Sequence, residues 1–298
     1  MDPVVLYNVH HQEVFGIPIS VYFYLTGLSA GSFILSTLSY VFGVKKYQPL
    51  GKPGVVLATV LLLVAPVMLL LHAGKPMRAW HLFVYINWTS PISWGSFLLT
   101  LYPLCCVVYG FFMFKGDEKK TRIFGIIGIP LAVMVHGYTG WILSFGKARA
   151  LWNTALMPIL FLVSAMVSGI ALMIVVSLIR DRFFTKEKTV NTDVMDGLCN
   201  LLAVAIVIDI FLVLSDVTTL LISHADAQEV AHVLLFGHFA LSFVLLENVI
   251  GKIVPLFIFA VPRWRKVPAV LVASLLVIAA IFLMRYNVVV GGENVPLM

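Results

Sequence analysis

The sequence predicts an all-α, polytopic membrane protein with eight transmembrane helices. Of its 298 residues, 61% are hydrophobic and only 11% are charged, whereas soluble domains contain about 25% charged residues. The apolar residues form eight continuous runs, each close to the ~20 residues that cross a bilayer core as a helix. Because polar and apolar residues do not alternate within these runs, they favour helices over the strands of a β-barrel.

The eight predicted spans follow one another closely. They lie at about residues 19–43, 54–72, 91–114, 123–143, 156–179, 194–222, 229–250 and 268–290, and a shorter apolar segment, 253–261, follows the seventh. No connection is long enough to fold alone, so residues 1–298 are predicted to form a single membrane domain. Within it we expect two four-helix halves, residues 1–150 and 151–298. Small residues four apart, Gly27 with Gly31 and Ala165 with Gly169, predict close packing of spans one and five.

The distribution of basic residues predicts the orientation. Fourteen of the twenty Lys and Arg residues lie in connections that follow odd-numbered spans. Because cytoplasmic loops retain basic residues, both termini are predicted on the outer, periplasmic side of the bacterial inner membrane. The side with few basic residues holds Lys75, Arg78, Lys147, Arg149 and Arg285. Lys252, at the predicted inner end of span seven, is expected to extend its ammonium to the inner surface.

The composition also excludes several classes of function. The net charge of +6 comes from short basic clusters between apolar runs, a pattern that sets membrane topology and is not typical of a nucleic-acid surface. The chain is too apolar for a soluble enzyme. Its cysteines, Cys105, Cys106 and Cys199, form no CxxC pair, so we expect neither an iron–sulfur cluster nor another metal site in this chain. The histidines lack the spacing of a two-haem anchor, so no haem is expected.

Acidic residues inside the predicted spans are candidates for function. Asp209 and Asp216 lie two helical turns apart and share one face of span six, and Glu247 lies in span seven. A charge near the bilayer centre costs at least about 2.5 kcal/mol, so these side chains are expected inside the bundle. Two interpretations remain open. Asp209, Asp216, His238 and Glu247 form a proton relay, or the acids only join spans six and seven through hydrogen bonds to His232 and His238.

Hydrogen-bond donors converge at the predicted outer face of the first half. A quinone has two carbonyls that accept hydrogen bonds and must exchange protons on reduction, so it needs such donors beside an apolar slot. His11 and Tyr138 are predicted as the two catalytic residues of a quinone site, with Asn8, His72 and His136 beside them.

Several segments carry a family resemblance. Residues 136–144 read His-Gly-Tyr-Thr-Gly-Trp-Ile-Leu-Ser, and residues 147–154 read Lys-Ala-Arg-Ala-Leu-Trp-Asn-Thr. Residues 74–78 and 87–95 contain Gly-Lys-Pro-Met-Arg and Asn-Trp-Thr-Ser-Pro-Ile-Ser-Trp-Gly, and Glu247 is followed by Gly251 and Pro255. Together these segments resemble the NrfD/PsrC family, the membrane subunits of polysulfide-reductase-like complexes.

This resemblance implies eight helices, no haem, and a menaquinone or ubiquinone site near the outer face of the first half. Asn8 and His11 match the family's Asn-x-x-His ahead of helix one, and Tyr138 matches the Tyr of its His-x-Tyr-Thr-Gly motif. The sequence departs from the family where His72 replaces an acidic residue and Lys75 replaces an Arg. Lysine keeps the charge but loses the bidentate geometry of arginine.

The predicted function is therefore a quinone-reacting or quinol-reacting membrane subunit of a multi-subunit respiratory oxidoreductase. The resemblance implies a ferredoxin-like iron–sulfur partner facing the periplasm and a molybdopterin or multihaem catalytic subunit. The remaining expected contacts are with membrane lipid. The residues expected to dock an acidic partner surface are Lys75, Arg78, Lys147, Arg149 and Trp152. Two alternatives are a proton-translocating or ion-translocating subunit that uses the acids of spans six and seven, and a passive membrane anchor.

Overall fold

The structure, a computed structural model, describes residues 15–183 and 192–294. Within these ranges all regular secondary structure is helical, and eight helices are long and apolar enough to cross a membrane. The predicted all-α fold with eight spans is confirmed. The α-helices are α1 (Ile17–Tyr40), α2 (Gln48–His72), α3 (His81–Val84), α4 (Pro91–Lys115), α5 (Glu118–Ser144), α6 (Met157–Phe183), α7 (Thr192–Ile222), α8 (Ala225–Leu235), α9 (Val254–Ala260) and α10 (Val267–Asn294).

The seventh span begins later than the sequence predicts. Residues 225–235 form the separate short helix α8, which buries Ala227, Val230 and Leu234 and exposes its polar residues. α8 ends where the amide of Gly237 bonds to the carbonyls of His232 and Val233. The membrane helix that follows is Leu241–Ala260, so the trailing apolar segment belongs to the span. The predicted span started too early because α8 is half apolar, so its residues continue the apolar run of the membrane helix.

The first part of this seventh span is a π-helix, Leu241–Ile253, which continues into α9. A π-helix has hydrogen bonds from residue i to residue i+5, so side chains five apart lie on one face. In an α-helix the same side chains would lie about 140° apart. The π-helix therefore decides which residues of this span can meet.

The helices pack side by side around α1, the most buried of the eight spans. α1, α2, α4 and α5 contact one another in a ring, and α6, α7, the seventh span and α10 form a second ring. α1 and α5 both pack against α6, and α1 also contacts α10. The division into two halves near residue 150 and the side on which the termini lie stay predictions.

The backbones of α1 and α6 approach each other closely at Gly31 and Gly169. A Cβ added at Gly31 would lie 2.4 Å from the carbonyl oxygen of Ala165 and 2.8 Å from the Cα of Gly169. Only glycine permits such contact between two backbones. The predicted small-residue packing of spans one and five is confirmed.

Side chains fasten the helices at both ends of the bundle. One end, called the basic end, contains Lys45–Lys52, Lys115–Arg122, Arg180 and Arg263–Lys266. At this end Arg180 Nη1 donates to the carbonyl of Pro49 (3.0 Å), and Arg265 pairs with Asp196 (3.2 Å). At the opposite end, Trp152 Nε1 donates to the carbonyl of Val288 (2.7 Å) and Arg149 Nη1 to that of Glu293 (3.0 Å). These contacts join helices that are distant in sequence.

Candidate functional site

Tyr138, the predicted catalytic residue of span four, is buried between α5 and α4, with only 8% of its surface exposed. A Cβ added at Gly95 of α4 would lie 2.2 Å from both Cζ and Oη of Tyr138. The ring therefore lies directly on the backbone of α4, which only glycine permits. The Tyr138 hydroxyl makes no hydrogen bond within the described part of the chain.

Tyr22 of α1 is a second phenol beside Tyr138, and the sequence analysis missed it. Tyr22 is 2% exposed, and its buried hydroxyl has no hydrogen-bond partner among the described residues. The two phenols are close enough to interact electrostatically. Leaving a buried hydroxyl unpaired costs about 1–3 kcal/mol, so the unpaired Tyr22 hydroxyl beside Tyr138 indicates a place where a ligand or water supplies the partner. The signal was present in the sequence, because polar residues within a span usually face the bundle interior.

His136 lies two residues before Tyr138, but its side chain contacts different helices from that of Tyr138. It is fully buried, and a Cβ at Gly27 would lie 2.9 Å from its Cε1. Its Nε2 is 2.7 Å from the carbonyl oxygen of Phe161 and 3.2 Å from Nη2 of Arg285. One ring nitrogen either donates to the carbonyl or accepts from the guanidinium. In the first state His136 bonds α5 to α6, and in the second it bonds α5 to Arg285 of α10; each contact fixes the helix that carries Tyr138.

Arg285 of α10 is fully buried, and this corrects its assignment to the outer side of the membrane. Its Nη2 donates to the carbonyl of Phe161 (3.0 Å) and to Oγ of Ser164 (2.6 Å). The guanidinium carbon lies 3.7 Å from the centre of the Phe161 ring, a cation–π contact. The sequence analysis missed this role because position in a span does not show which face a residue occupies.

A second buried group, called the acid–lysine cluster, contains Asp209, Glu247, Lys252 and Asn287. Lys252 Nζ lies 2.8 Å from Asp209 Oδ2 and 3.0 Å from Glu247 Oε1. Asn287 Nδ2 donates to Glu247 Oε2 (2.8 Å), and Asn287 Oδ1 accepts from Ser242 Oγ (2.8 Å). Glu247 and Lys252 are five residues apart, so the π-helix is what places them on one face.

The expectation that Lys252 extends to the inner surface is wrong, because Lys252 is fully buried between two carboxylates. Arg285 also interacts electrostatically with Asp209 and Glu247, so Asp209, Glu247, Lys252 and Arg285 together carry two negative and two positive charges. A neutral set of buried charges is far cheaper than any one of them alone.

Asp216, two turns from Asp209 on α7, lies where two cavities meet. A polar cavity of about 290 Å³ at the opposite end is lined by Lys147, Arg149, His224 and Asp216 among others. A narrow cavity of about 20 Å³, mostly apolar, runs from Asp216 to Glu247 and Asn287. Asp216 thus connects the polar cavity to the acid–lysine cluster.

The histidines of the second half lie apart from these acids. His232 and His238 are both exposed, and their rings contact Phe236 and Phe239 at 5.5 and 4.6 Å between centres. The alternative in which these two histidines bond to the acids is therefore not what the structure shows. The partners of Glu247 are Lys252 and Asn287.

The residues expected to dock a partner fall into two groups. Lys75, Arg78 and Lys147 are exposed, and Arg149 is half-buried. Trp152 is 5% exposed, and its ring packs so closely on Gly292 that a Cβ there would lie 2.0 Å from Nε1. Trp152 therefore fastens α10 and does not contribute to an exposed docking surface, contrary to expectation.

Other predicted site residues lie near the same end or outside the described ranges. His72 is half-buried at the end of α2, with its ring centre 6.4 Å from that of Phe15. Asn8 and His11 lie outside the described residues. Within residues 15–183 and 192–294 no group of three His, Cys, Asp or Glu residues is arranged to hold a metal ion.

Comparisons with known proteins show one family and several relatives to which this chain is similar. A family model described as "Polysulphide reductase, NrfD" matches residues 6–296. A selenate reductase subunit of Mesobacillus selenatarsenatis is 29% identical over 94% of this chain and 74% of its own length. A polysulfide reductase chain of Wolinella succinogenes is 26% identical over 93% of both proteins.

A third relative matches a shorter stretch. The Hdr-like menaquinol oxidoreductase integral membrane subunit of Archaeoglobus fulgidus is 35% identical over 55% of this chain and 42% of its own length. The family model, in contrast, covers almost the whole chain and all eight spans. The chain therefore belongs to the NrfD family and is a multi-pass membrane protein.

Proposed function

We propose that this chain is the quinone-reacting subunit of a multi-subunit respiratory oxidoreductase. It would exchange electrons between the menaquinone or ubiquinone pool and an iron–sulfur partner at the periplasmic face. The observation that carries the proposal is a pair of neighbouring phenols: Tyr22, whose buried hydroxyl has no hydrogen-bond partner among the described residues, and Tyr138, whose ring lies on the bare backbone at Gly95. The names of the Archaeoglobus and Wolinella relatives, a menaquinol oxidoreductase subunit and a polysulfide reductase chain, support it.

The residues at this site fit a quinone head group. A quinone accepts hydrogen bonds at its carbonyls, and this site holds two neighbouring phenol hydroxyls, of which that of Tyr22 is buried without a partner in the described residues. When bound, a quinone supplies two-electron chemistry coupled to two protons. Burial of the phenols in a largely apolar surrounding suits both a ring and an isoprenoid tail.

Each residue of the site has a proposed role. The hydroxyl of Tyr138 would donate a hydrogen bond to one carbonyl, and Tyr22 would hold that hydroxyl in place. His11 would donate to the other carbonyl and hold or release a proton at its imidazole, while Asn8 would orient the ring. His136 is a positioning residue, since it fixes α5 through Phe161.

The iron–sulfur partner would dock at the end of the bundle that lies opposite the basic end. Lys75, Arg78 and Lys147 are exposed there and provide positive charge for an acidic, ferredoxin-like subunit. A molybdopterin or multihaem subunit would hold the chemistry of the other substrate.

Tyr138→Phe should reduce quinol oxidation by the purified complex at least about tenfold, because a positioned donor or acid typically contributes 10²–10⁴-fold. Tyr22→Phe should reduce it several-fold, since it acts through Tyr138. The measurement is the steady-state oxidation of a water-soluble quinol with an artificial electron acceptor.

Tyr24→Phe is the matched control, because Tyr24 lies on the same helix as Tyr22 but its hydroxyl donates to the carbonyl of Ile278 (3.1 Å). Its turnover should equal that of the wild type. A Tyr138→Phe complex that retains more than half of wild-type turnover would contradict the assignment.

A second function, proton transfer through the second half, is favoured by the position of Asp216 between two cavities. In this proposal Asp216 exchanges protons with the polar cavity and passes them toward Glu247 and Asp209. Intramembrane carboxylates with this arrangement are typical of proton pathways. The function would coexist with quinone chemistry.

Asp216→Asn should slow the decay of a pH gradient imposed across proteoliposomes, because the amide cannot carry a proton. A pH-sensitive dye inside the vesicles reports the rate. Asp193→Asn, at an exposed residue of the basic end, should leave the rate unchanged. Equal rates for wild type and Asp216→Asn would rule out this path.

A further inference from the structure

The basic end contains two adjoining grooves that the proposed function does not use. One has a volume of about 790 Å³ and its charged lining is Lys45, Lys46, Lys52, Arg180 and Asp193. The other has a volume of about 660 Å³ and its charged lining is Lys45, Lys119, Arg122 and Glu118. Because Tyr40, Lys45 and Gln48 line both, they form one basic groove, with six basic residues against two acidic ones.

Among the residues that the structure describes, no carboxylate forms an ion pair with the three lysines at the centre of this basic groove, Lys45, Lys46 and Lys52. Two of these lysines instead lie over aromatic rings. Lys46 Nζ lies 5.7 Å from the ring centre of Tyr47, and Lys52 Nζ lies 5.6 Å from that of Phe114. A concave surface with uncompensated positive charge attracts anions.

An apolar groove adjoins the basic groove along the membrane-facing side of α2 and α4. Its volume is about 290 Å³, and its lining is Val55, Val56, Thr59, Val60, Cys106, Val107, Gly110, Phe111 and Phe114. Lys52, Val56 and Val60 are four residues apart in sequence, so they form one stripe along α2. Phe114, which contacts the ammonium of Lys52, lines the apolar groove itself. Lys52 therefore stands where the basic groove meets the apolar groove.

We infer that these two grooves together bind an anionic phospholipid. The phosphate would lie in the basic groove near Lys45, Lys46 and Lys52, and one acyl tail would follow the stripe from Lys52 to Val60. A soluble anion would use the basic groove alone, whereas the adjoining apolar groove matches the second part of a lipid. Basic pockets between membrane helices at the cytoplasmic side bind such head groups, and the basic end is the one predicted to be cytoplasmic.

Native mass spectrometry of the purified full-length protein tests this inference. Titration with dioleoyl phosphatidylglycerol should give saturable binding at least tenfold tighter than dioleoyl phosphatidylcholine, which has the same acyl tails. The double variant Lys46→Gln/Lys52→Gln should weaken binding of the anionic lipid at least fivefold. Lys266→Gln, which removes a charge from the same end but outside the groove, should change it less than twofold.

Gly110→Leu tests the acyl-tail part, because its side chain would fill the apolar groove without altering charge. It should weaken phosphatidylglycerol binding at least threefold while the melting temperature shows that the variant is folded. If it is not folded, Val56→Asn, at an exposed position of the same groove, takes its place. The inference is overturned if the two lipids bind equally, if Lys266→Gln weakens binding as much as the double variant, or if millimolar inorganic phosphate displaces the lipid.

Discussion

Lys252→Met should lower the apparent melting temperature of the detergent-purified protein by on the order of 10 °C. Lys252 is fully buried and lies 2.8 and 3.0 Å from the carboxylates of Asp209 and Glu247. Removing it leaves two buried carboxylates with a single balancing cation, Arg285. Breaking a buried ion pair in this way costs about 3–5 kcal/mol, and each kcal/mol shifts the melting temperature of a protein of this size by about 2–4 °C.

The double variant Asp209→Asn/Lys252→Met separates charge imbalance from loss of packing. It removes one negative and one positive charge, so Glu247 and Arg285 still balance, and Glu247 keeps its bond from Asn287. This variant should recover most of the lost melting temperature. A Lys252→Met protein that melts within about 2 °C of the wild type, less than the shift expected for a single kcal/mol, would show that the cluster does not depend on its lysine. The melting curve can be followed by fluorescence-detected size exclusion.

Gly31→Ala should also destabilise the protein markedly, although it adds a single methyl group. Its Cβ would lie 2.4 Å from the carbonyl oxygen of Ala165 and 2.8 Å from the Cα of Gly169. Both atoms belong to the backbone of α6, so no side-chain rotation relieves the overlap and the two helices must separate. Overpacking of this kind costs about 1–3 kcal/mol, measured again as a lowered apparent melting temperature.

Gly137→Ala is the control for this substitution. Gly137 is also inside a membrane helix, but a Cβ there meets only Cδ1 of Leu162, at an ordinary 3.8 Å. Because alanine favours a helix over glycine, Gly137→Ala should be neutral or slightly stabilising. If both variants melt alike, close packing at Gly31 is not a determinant of stability.

The eight-helix architecture was predictable because it depends on the length and apolarity of each run, which hydropathy measures directly. The seventh span was misplaced for the same reason. The short helix α8 adds apolar residues ahead of it, and hydropathy does not distinguish a half-buried helix from a membrane span. The glycines that join α1 to α6 were also predictable, because small residues four apart form one strip on a helix.

The candidate sites were only partly predictable, because burial and helix face are not visible in the order of residues alone. Tyr138 was found through its motif, whereas Tyr22 has no motif and was recognised only from its unpartnered hydroxyl. Lys252 and Arg285 were assigned to membrane surfaces by their positions in the spans. Lys252 lies beside Glu247 because this part of the span is a π-helix. The length and apolarity of a span do not predict a π-helix.

Arg285 connects the two regions of interest. It contacts Phe161 of α6 and His136, which lies on the helix that carries Tyr138, and it interacts electrostatically with Asp209 and Glu247 of the acid–lysine cluster. A change in charge at one region would therefore change the electrostatic potential at the other.

The most direct test of the central claim is a binding titration of a hydroxyquinoline N-oxide, a quinol analogue, into the purified protein, followed by quenching of its fluorescence. We predict one saturable site that Tyr138→Phe and His11→Ala each weaken about tenfold, because a lost hydrogen bond of about 1.4 kcal/mol corresponds to tenfold in affinity, and that Tyr24→Phe leaves unchanged. Absence of binding, or binding that neither Tyr138→Phe nor His11→Ala weakens, would contradict a quinone site at Tyr138.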